Sequence, residues 1–320
     1  MEDKELSNDQ SYNKNNDLVI LYNDGVKLFD DGKYDDSIPI FEHLVNKSPD
    51  NINYLFMLGK SFYEKHDYNN ALIVFKKIIQ KEPSNAIYHN YLGNIYYRLS
   101  SFKFAHEQYK KAIFLDKENH SYLNDLGNLY YKLKKYETAI KCYKKSSDLD
   151  KANPVYYDNI GYTYLRMKQY EDALYYTKKA LDLNPFQASY NYNLGNIYYH
   201  LDNDKTAYTL IKQAIGLNPI PRYYFKLGII CNNLDDFEQG LYNFQKAYDL
   251  EPLNSEYNNY LGNMYFLVGD YKNALTYLHD AIKLENDNEE YYTHLANLLW
   301  NLNKYDSAKK YFIKARKCSS

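Results

Sequence analysis

From Leu18 onward, apolar residues fall at helical rather than strand intervals. Leu92, Ile95, Tyr96 and Leu99 lie one, three or four residues apart and share one helical face; Ala105, Tyr109 and Ala112 repeat the pattern a few residues on. Only Ser100-Ser101-Phe102 separates the two patterns, and Lys134-Lys135-Tyr136 holds the same place in a later stretch. So short a connection allows nothing but a tight turn, so the spacing predicts pairs of antiparallel helices. Pro49, Pro83, Pro185, Pro219 and Pro252 follow the second helix of a pair. A proline there cannot continue the helix and pushes the preceding residue out of helical geometry. Pro39 falls near the start of a second helix and is expected to be tolerated, because N–H groups there lack partners in any case.

The pairs recur. LGNIYY is spelled at Leu92–Tyr97 and again at Leu194–Tyr199, 102 residues on, which is three periods of 34. Gly25, Gly59, Gly93, Gly127, Gly161 and Gly195 are 34 apart; Gly228 follows after 33, then Gly262 and Ala296 after 34 each. Twelve residues beyond each stands a second small residue: Ser37, Ala71, Ala105, Ala139, Ala173, Ala207, Gly240, Ala274 and Ala308. A glycine inside a helix costs about 1 kcal/mol against alanine, so eight cost on the order of 8 kcal/mol, comparable with the stability of a whole domain. Close approach of a neighbouring helix, with the second small residue on the same contact, is the offsetting gain this register predicts. The expected repeats are 18–51, 52–85, 86–119, 120–153, 154–187, 188–220, 221–254, 255–288 and 289–320, behind a polar tail of residues 1–17 expected to be disordered.

Composition narrows the chemistry. The 39 basic and 41 acidic residues nearly balance, which speaks against a nucleic-acid partner, since that needs a concentrated positive field. Cys142, Cys231 and Cys318 are far apart and form no CxxC pair, a pattern suited to a reducing compartment. No apolar run reaches the length of a membrane span and the first residues lack a signal-peptide core, so a cytoplasmic protein with no membrane partner is expected. Once the repeat glycines and Gly240 are set aside, only Gly32, Gly216 and Gly269 remain, too few for a phosphate-cradling loop. The eight histidines form no HExxH and no pair at metal-ligand spacing. Cys231 stands at a core position and reads as a buried thiol. The expectation is no catalytic residue, no metal and no cofactor.

Leu92-Gly93-x-x-Tyr96, Ala71-x-x-x-Phe75 and Pro83 follow the 34-residue pattern of the tetratricopeptide repeat. The chain resembles that family from about Leu18 to Ser320. The resemblance implies an all-α, right-handed solenoid superhelix of about nine helix-turn-helix repeats, serving as a protein-interaction scaffold. The family's first-helix Trp is absent; Leu21, Leu55, His89, Leu123, Tyr157, Asn191, Tyr224, Asn258 and Tyr292 stand there.

Members of the family bind partners on a concave surface lined by first helices. With the repeat glycine counted as position 8, the resemblance places about positions 2, 5, 6, 9, 12 and 13 inward. Position 9 carries Asn94, Asn128, Asn196, Asn263 and Asn297; position 5 carries Asn90, Asn124 and Asn259; position 6 carries Asn193; position 12 carries Tyr97, Tyr131 and Tyr199. Asparagine is a mediocre helix former, so its recurrence needs a reason. A ladder of amides, each both donor and acceptor, can hold the backbone of an extended peptide, and tyrosines add apolar contact with a polar tip. The alternative is that these asparagines pair with adjacent helices or follow a biased composition. Arg98, Lys132 and Arg166 share position 13 and form a mild positive stripe. The family's two-carboxylate clamp is partly matched by Asn193, Arg222 and Lys226, with the two cations exchanged; Asp158 occupies another of its places, where an acid repels a carboxylate. The expected function is groove binding of a protein or peptide partner without catalysis. Self-association through the last repeat, or service as the regulatory arm of an enzyme on a separate chain, such as a glycosyltransferase, stays open.

Overall fold

The computed structural model describes residues 17–318, so the expected tail lies outside the described residues except for residue 17, which is already helical. All regular structure among the described residues is α-helix. The chain divides into two compact units at Lys151 and Ala152. The first holds α1 (17–30), α2 (Tyr34–Lys47), α3 (Ile52–Glu64), α4 (Tyr68–Lys81), α5 (Ala86–Arg98), α6 (Phe102–Leu115), α7 (His120–Lys132) and α8 (Tyr136–Leu149). The second holds α9 (Pro154–Arg166), α10 (Tyr170–Leu183), α11 (Ala188–His200), α12 (Asp204–Leu217), α13 (Pro221–Asn233) and α14 (Phe237–Leu250), followed by α15 (Ser255–Leu267), α16 (Tyr271–Leu284), α17 (Glu289–Asn301) and α18 (Tyr305–Cys318). Within each unit a first helix packs on the second helix of its own pair, and that second helix on the next first helix. Core is therefore distributed along the stack: Phe75 and Ile78 meet Tyr88, Leu92 and Ile95, for example, and Phe244 meets Phe225, Tyr257 and Leu261.

The repeat glycines sit where the predicted close approach occurs. A Cβ at Gly93 would lie 2.6 Å from the Tyr109 ring, and at Gly228 2.8 Å from the Phe244 ring. The residue in contact lies 16 positions on, in the second helix of the same pair. The second small residue joins that contact: a Cβ at Gly195 would lie 3.4 Å from the Ala207 carbonyl oxygen, and Ala207 is fully buried. Pro39 departs from expectation. It is the sixth residue of α2, beyond the turn whose N–H groups lack partners, so the helix forgoes the hydrogen bond that Asp35 would accept there.

Each turn inside a pair needs one residue in left-handed geometry. Gly32 (φ 74°) and Gly269 (φ 83°) supply it without strain, but His66, Ser100, Lys134, Lys168, Asp202, Asp235 and Asn303 adopt the same geometry with side chains. Lys134→Gly is therefore expected to stabilise the first unit by about 1 kcal/mol. A denaturation midpoint equal to or below that of the parent protein would show that the turn carries no strain.

Loops between pairs are closed by asparagine caps. Asn51, Asn85, Asn119, Asn153, Asn254 and Asn288 each accept a hydrogen bond from a backbone N–H in the first turn of the helix that follows. The missing residue of the 33-residue repeat belongs to this loop. Between α12 and α13 it runs only from Asn218 to Ile220, Ile220 gives no side-chain cap, and Pro221 begins the helix instead. Where the resembled family has Trp, polar side chains tie the same loop down. His89 and Asn258 bond the carbonyl oxygens of Pro83 and Pro252 at 2.9 and 2.8 Å, and the Tyr292 hydroxyl donates to Asn286 O at 2.7 Å.

Candidate peptide-binding site

Position 5 of one repeat meets position 6 of the next, 35 residues on, and these contacts decide what most candidate asparagines do. Two such pairs are aromatic: Phe56 with Tyr91, ring centroids 5.4 Å apart, and Phe225 with Tyr260 at 5.0 Å. Three are polar. Asn90 donates to Asp125 at 3.0 Å, Asn193 to Asp158 at 2.9 Å, and Asn259 Oδ1 bonds His294 Nδ1 at 2.9 Å. In the first unit the amides of Asn94 (3.5 Å) and Asn124 also reach Asp125. Burial pushes the Asp125 carboxyl up, against these three hydrogen bonds. Asn259 is fully buried, so an incoming peptide cannot touch it; it belongs to the contact between repeats.

Position 9 divides according to the residue fifteen places on. The Tyr109 and Tyr143 hydroxyls donate to Asn94 Oδ1 at 2.7 Å and Asn128 Oδ1 at 2.9 Å. Ile211, Leu278 and Phe312 hold the corresponding places for Asn196, Asn263 and Asn297 and offer no hydroxyl. Asn196 bonds Tyr192 instead. Among the described residues Asn263 is half-buried, Asn297 is exposed, and neither makes a side-chain hydrogen bond. At position 12, Tyr97 lies against Phe102 (6.1 Å) and Tyr131 against Tyr136 (5.5 Å), closing the turn between the helices. Tyr199 has another partner, the Lys226 ammonium 4.2 Å from its ring.

One cleft gathers the remaining candidates. It lies in the second unit along α9, α11 and α13 and encloses about 720 Å³. Asp158, Tyr162 and Arg166 line it from α9, Tyr192, Asn193, Asn196 and His200 from α11, and Arg222 and Lys226 from α13, with Lys168 and Tyr170 closing one end. Arg222 and Lys226 are one helical turn apart, which aims both at the same space. Arg222 lies over the Tyr192 ring at 5.1 Å, a cation–π contact that fixes the guanidinium. Burial lowers the Lys226 pKa, against the pull of Glu256. Burial together with Lys226 and Lys168 pushes the His200 imidazole down, which favours its neutral form.

Asp158 is the one carboxylate against four cations in this lining. Burial raises its pKa to about 6, opposed by the Asn193 hydrogen bond. Its negative charge is thus weaker near pH 6 than the sequence implied. Of the five cations expected at an anion site, Arg166, Arg222 and Lys226 share this cleft, while Arg98 and Lys132 lie in the first unit, Arg98 hydrogen-bonded to Tyr63. Tyr170, Tyr192, Lys168 and His200 were not among the sequence candidates. Tyr192 holds position 5, and that inward register was the available signal.

Burial raises the Cys142 and Cys231 thiols to about 11, so both remain protonated. Among the described residues no group of three or more His, Cys, Asp or Glu side chains is gathered to hold a metal. No described helix is long and apolar enough to cross a membrane.

Family models described as tetratricopeptide repeat match residues 159–187, 188–221 and 265–317, and one described as TPR repeat matches 127–168. Residues 64–146 match the model for subunit 3 of the anaphase-promoting complex, cyclosome. No curated protein matches the sequence. Among solved structures, the chain is similar to one from the APC/C hetero-tetramer Cut9–Hcn1, with a TM-score of 0.66 at 15% identity. The match covers 87% of this chain and 55% of that one, so this chain spans about half its length. A tetratricopeptide repeat protein from Parabacteroides merdae is similar with a TM-score of 0.62 at 16% identity, over 76% of this chain and 97% of that one. PilF of Pseudomonas aeruginosa gives 0.57 at 23% identity, over 64% and 94%. Likeness at these identities is likeness of fold.

Proposed function

The chain belongs to the tetratricopeptide repeat family, and from that premise we propose that it is a protein-interaction scaffold whose α9–α11–α13 cleft holds an extended acidic segment of a partner, without catalysis of its own. The observation that carries this reading is the convergence of Arg166, Lys168, Arg222 and Lys226 on one cleft whose single carboxylate, Asp158, is partly protonated near pH 6. Tyr162 and Tyr192 supply apolar walls beside the cations, and the Asn196 amide supplies polar contact for a peptide backbone. A lining built on helices is held in place before the partner arrives, which limits the ordering cost of binding.

An unstructured fluorescent peptide of alternating glutamate and glycine tests the cleft. It is expected to bind the parent protein in a salt-dependent manner, and Arg222→Ala with Lys226→Ala to weaken it at least about tenfold, or about 1.4 kcal/mol. Equal affinity for both proteins, or for a lysine–glycine peptide, would overturn the assignment. Asn94→Ala is the wrong probe, because it leaves the Tyr109 hydroxyl without its acceptor and perturbs folding as well as any groove.

A further inference from the structure

The second-helix face of the first unit carries a feature that the repeat does not explain. Phe114, near the end of α6, is 76% exposed. At the same register the other eight repeats carry Asn, Gln, Asp, Gly or Lys, never a large apolar residue. Packing of the stack therefore does not call for this ring. Phe114 is also a ridge between two clefts. One, of about 330 Å³, is floored by Ile79 and Pro83; the other, of about 560 Å³, by Ile113, Leu126 and Tyr130.

Lysines surround both. Lys110 lines the two clefts together, Lys111 rims the smaller, and Lys117, Lys141 and Lys145 the larger. No carboxylate lines either cleft; Glu82 and Asp116 line a separate one beyond Leu115. None of these five lysines is in an ion pair among the described residues. Cations crowded around apolar surface repel one another, and a partner bearing carboxylates relieves that repulsion while covering the ring.

We propose that this α4–α6–α8 face is a second docking surface, for an acidic amphipathic helix of a partner protein. Two clefts either side of a ridge suit the side chains that a helix presents at i, i+3 or i+4, and i+7, and the lysines match carboxylates along its borders. Concave clefts receive side chains, whereas a bilayer takes projecting ones, and a single ring gives little anchorage there. The surface shares no residue with the α9–α11–α13 cleft, so substitutions in one leave the lining of the other intact.

The test uses the full chain and a labelled designed helix with leucines on one face and glutamates along both borders, followed by fluorescence anisotropy. The parent protein is expected to bind this peptide at least about tenfold more tightly than the same helix with lysine borders. Phe114→Ser is expected to lose about tenfold with an unchanged melting temperature, the ring being largely in solvent, and Lys110→Glu with Lys141→Glu to lose more. Arg222→Ala with Lys226→Ala should bind this helix like the parent, which keeps the outcome separate from the cleft reading. Equal affinity for both helices or no effect of Phe114→Ser would overturn the proposal. So would binding to phosphatidylserine vesicles with no preference between the helices.

Discussion

Gly127→Leu is expected to destabilise the first unit by about 3 kcal/mol or more. Even a Cβ at Gly127 would stand 2.5 Å from Tyr143 Cε1, and three further carbons have nowhere to go. The ring cannot swing aside cheaply, because its hydroxyl donates to Asn128 Oδ1 at 2.9 Å and the side chain is almost wholly buried. Displacing it adds the cost of an unmade hydrogen bond, about 1 kcal/mol. Chemical denaturation of the single variant and of Gly127→Leu with Tyr143→Ala forms the check. If the smaller partner residue recovers part of the loss, the clash is with Tyr143. An unchanged midpoint in the single variant would mean that the helices are not held at this distance.

The second large effect concerns charge. Asp158→Asn is expected to stabilise the second unit at pH 7.5 by on the order of 2 kcal/mol, because it keeps the acceptor for Asn193 and removes a buried charge. The folded carboxyl titrates at about 6, above the ordinary value of about 3.9. Between those two values the folded state holds a proton that the unfolded state has released. Stability contributed by the protonated form is complete below the lower value and is lost as pH rises through the upper one. The gap in melting temperature between variant and parent should therefore be wide at pH 7.5 and close towards pH 4. A gap of the same width at both would assign the gain to packing.

The asparagines show how far residue types alone can lead. Their recurrence at position 9 suggested a ladder facing a peptide, and the register was plain in LGNIYY. Yet Asn90, Asn94 and Asn124 all turn to Asp125, and Asn128 takes the Tyr143 hydroxyl. A side-chain amide bonds whatever its neighbour on the next helix offers. The partner's identity was present in the sequence, at spacings of 35, 31 and 15 for Asn90, Asn94 and Asn128, but its distance and direction were not. A second asparagine register at Asn51, Asn85, Asn119 and Asn153 was legible too, since a residue able to cap at the start of each first helix is a helix-start signal. The αL residues were harder to see, because only two of nine are glycine and the turn forces the rest.

Sequence periodicity alone determined the helices, their pairing and the place of small residues. A helix reads its own neighbours at three and four residues, and a repeated helix pair must bury the same face each time. It also determined that glycines would mark contact points, since nothing local repays their cost. Only the tertiary structure decided which asparagines are spent inside the protein, that burial raises the Asp158 pKa, and that Arg166, Arg222 and Lys226 share one cleft. Those properties depend on the distance between side chains on different helices and on the solvent left between them. Neither quantity has a period in the sequence.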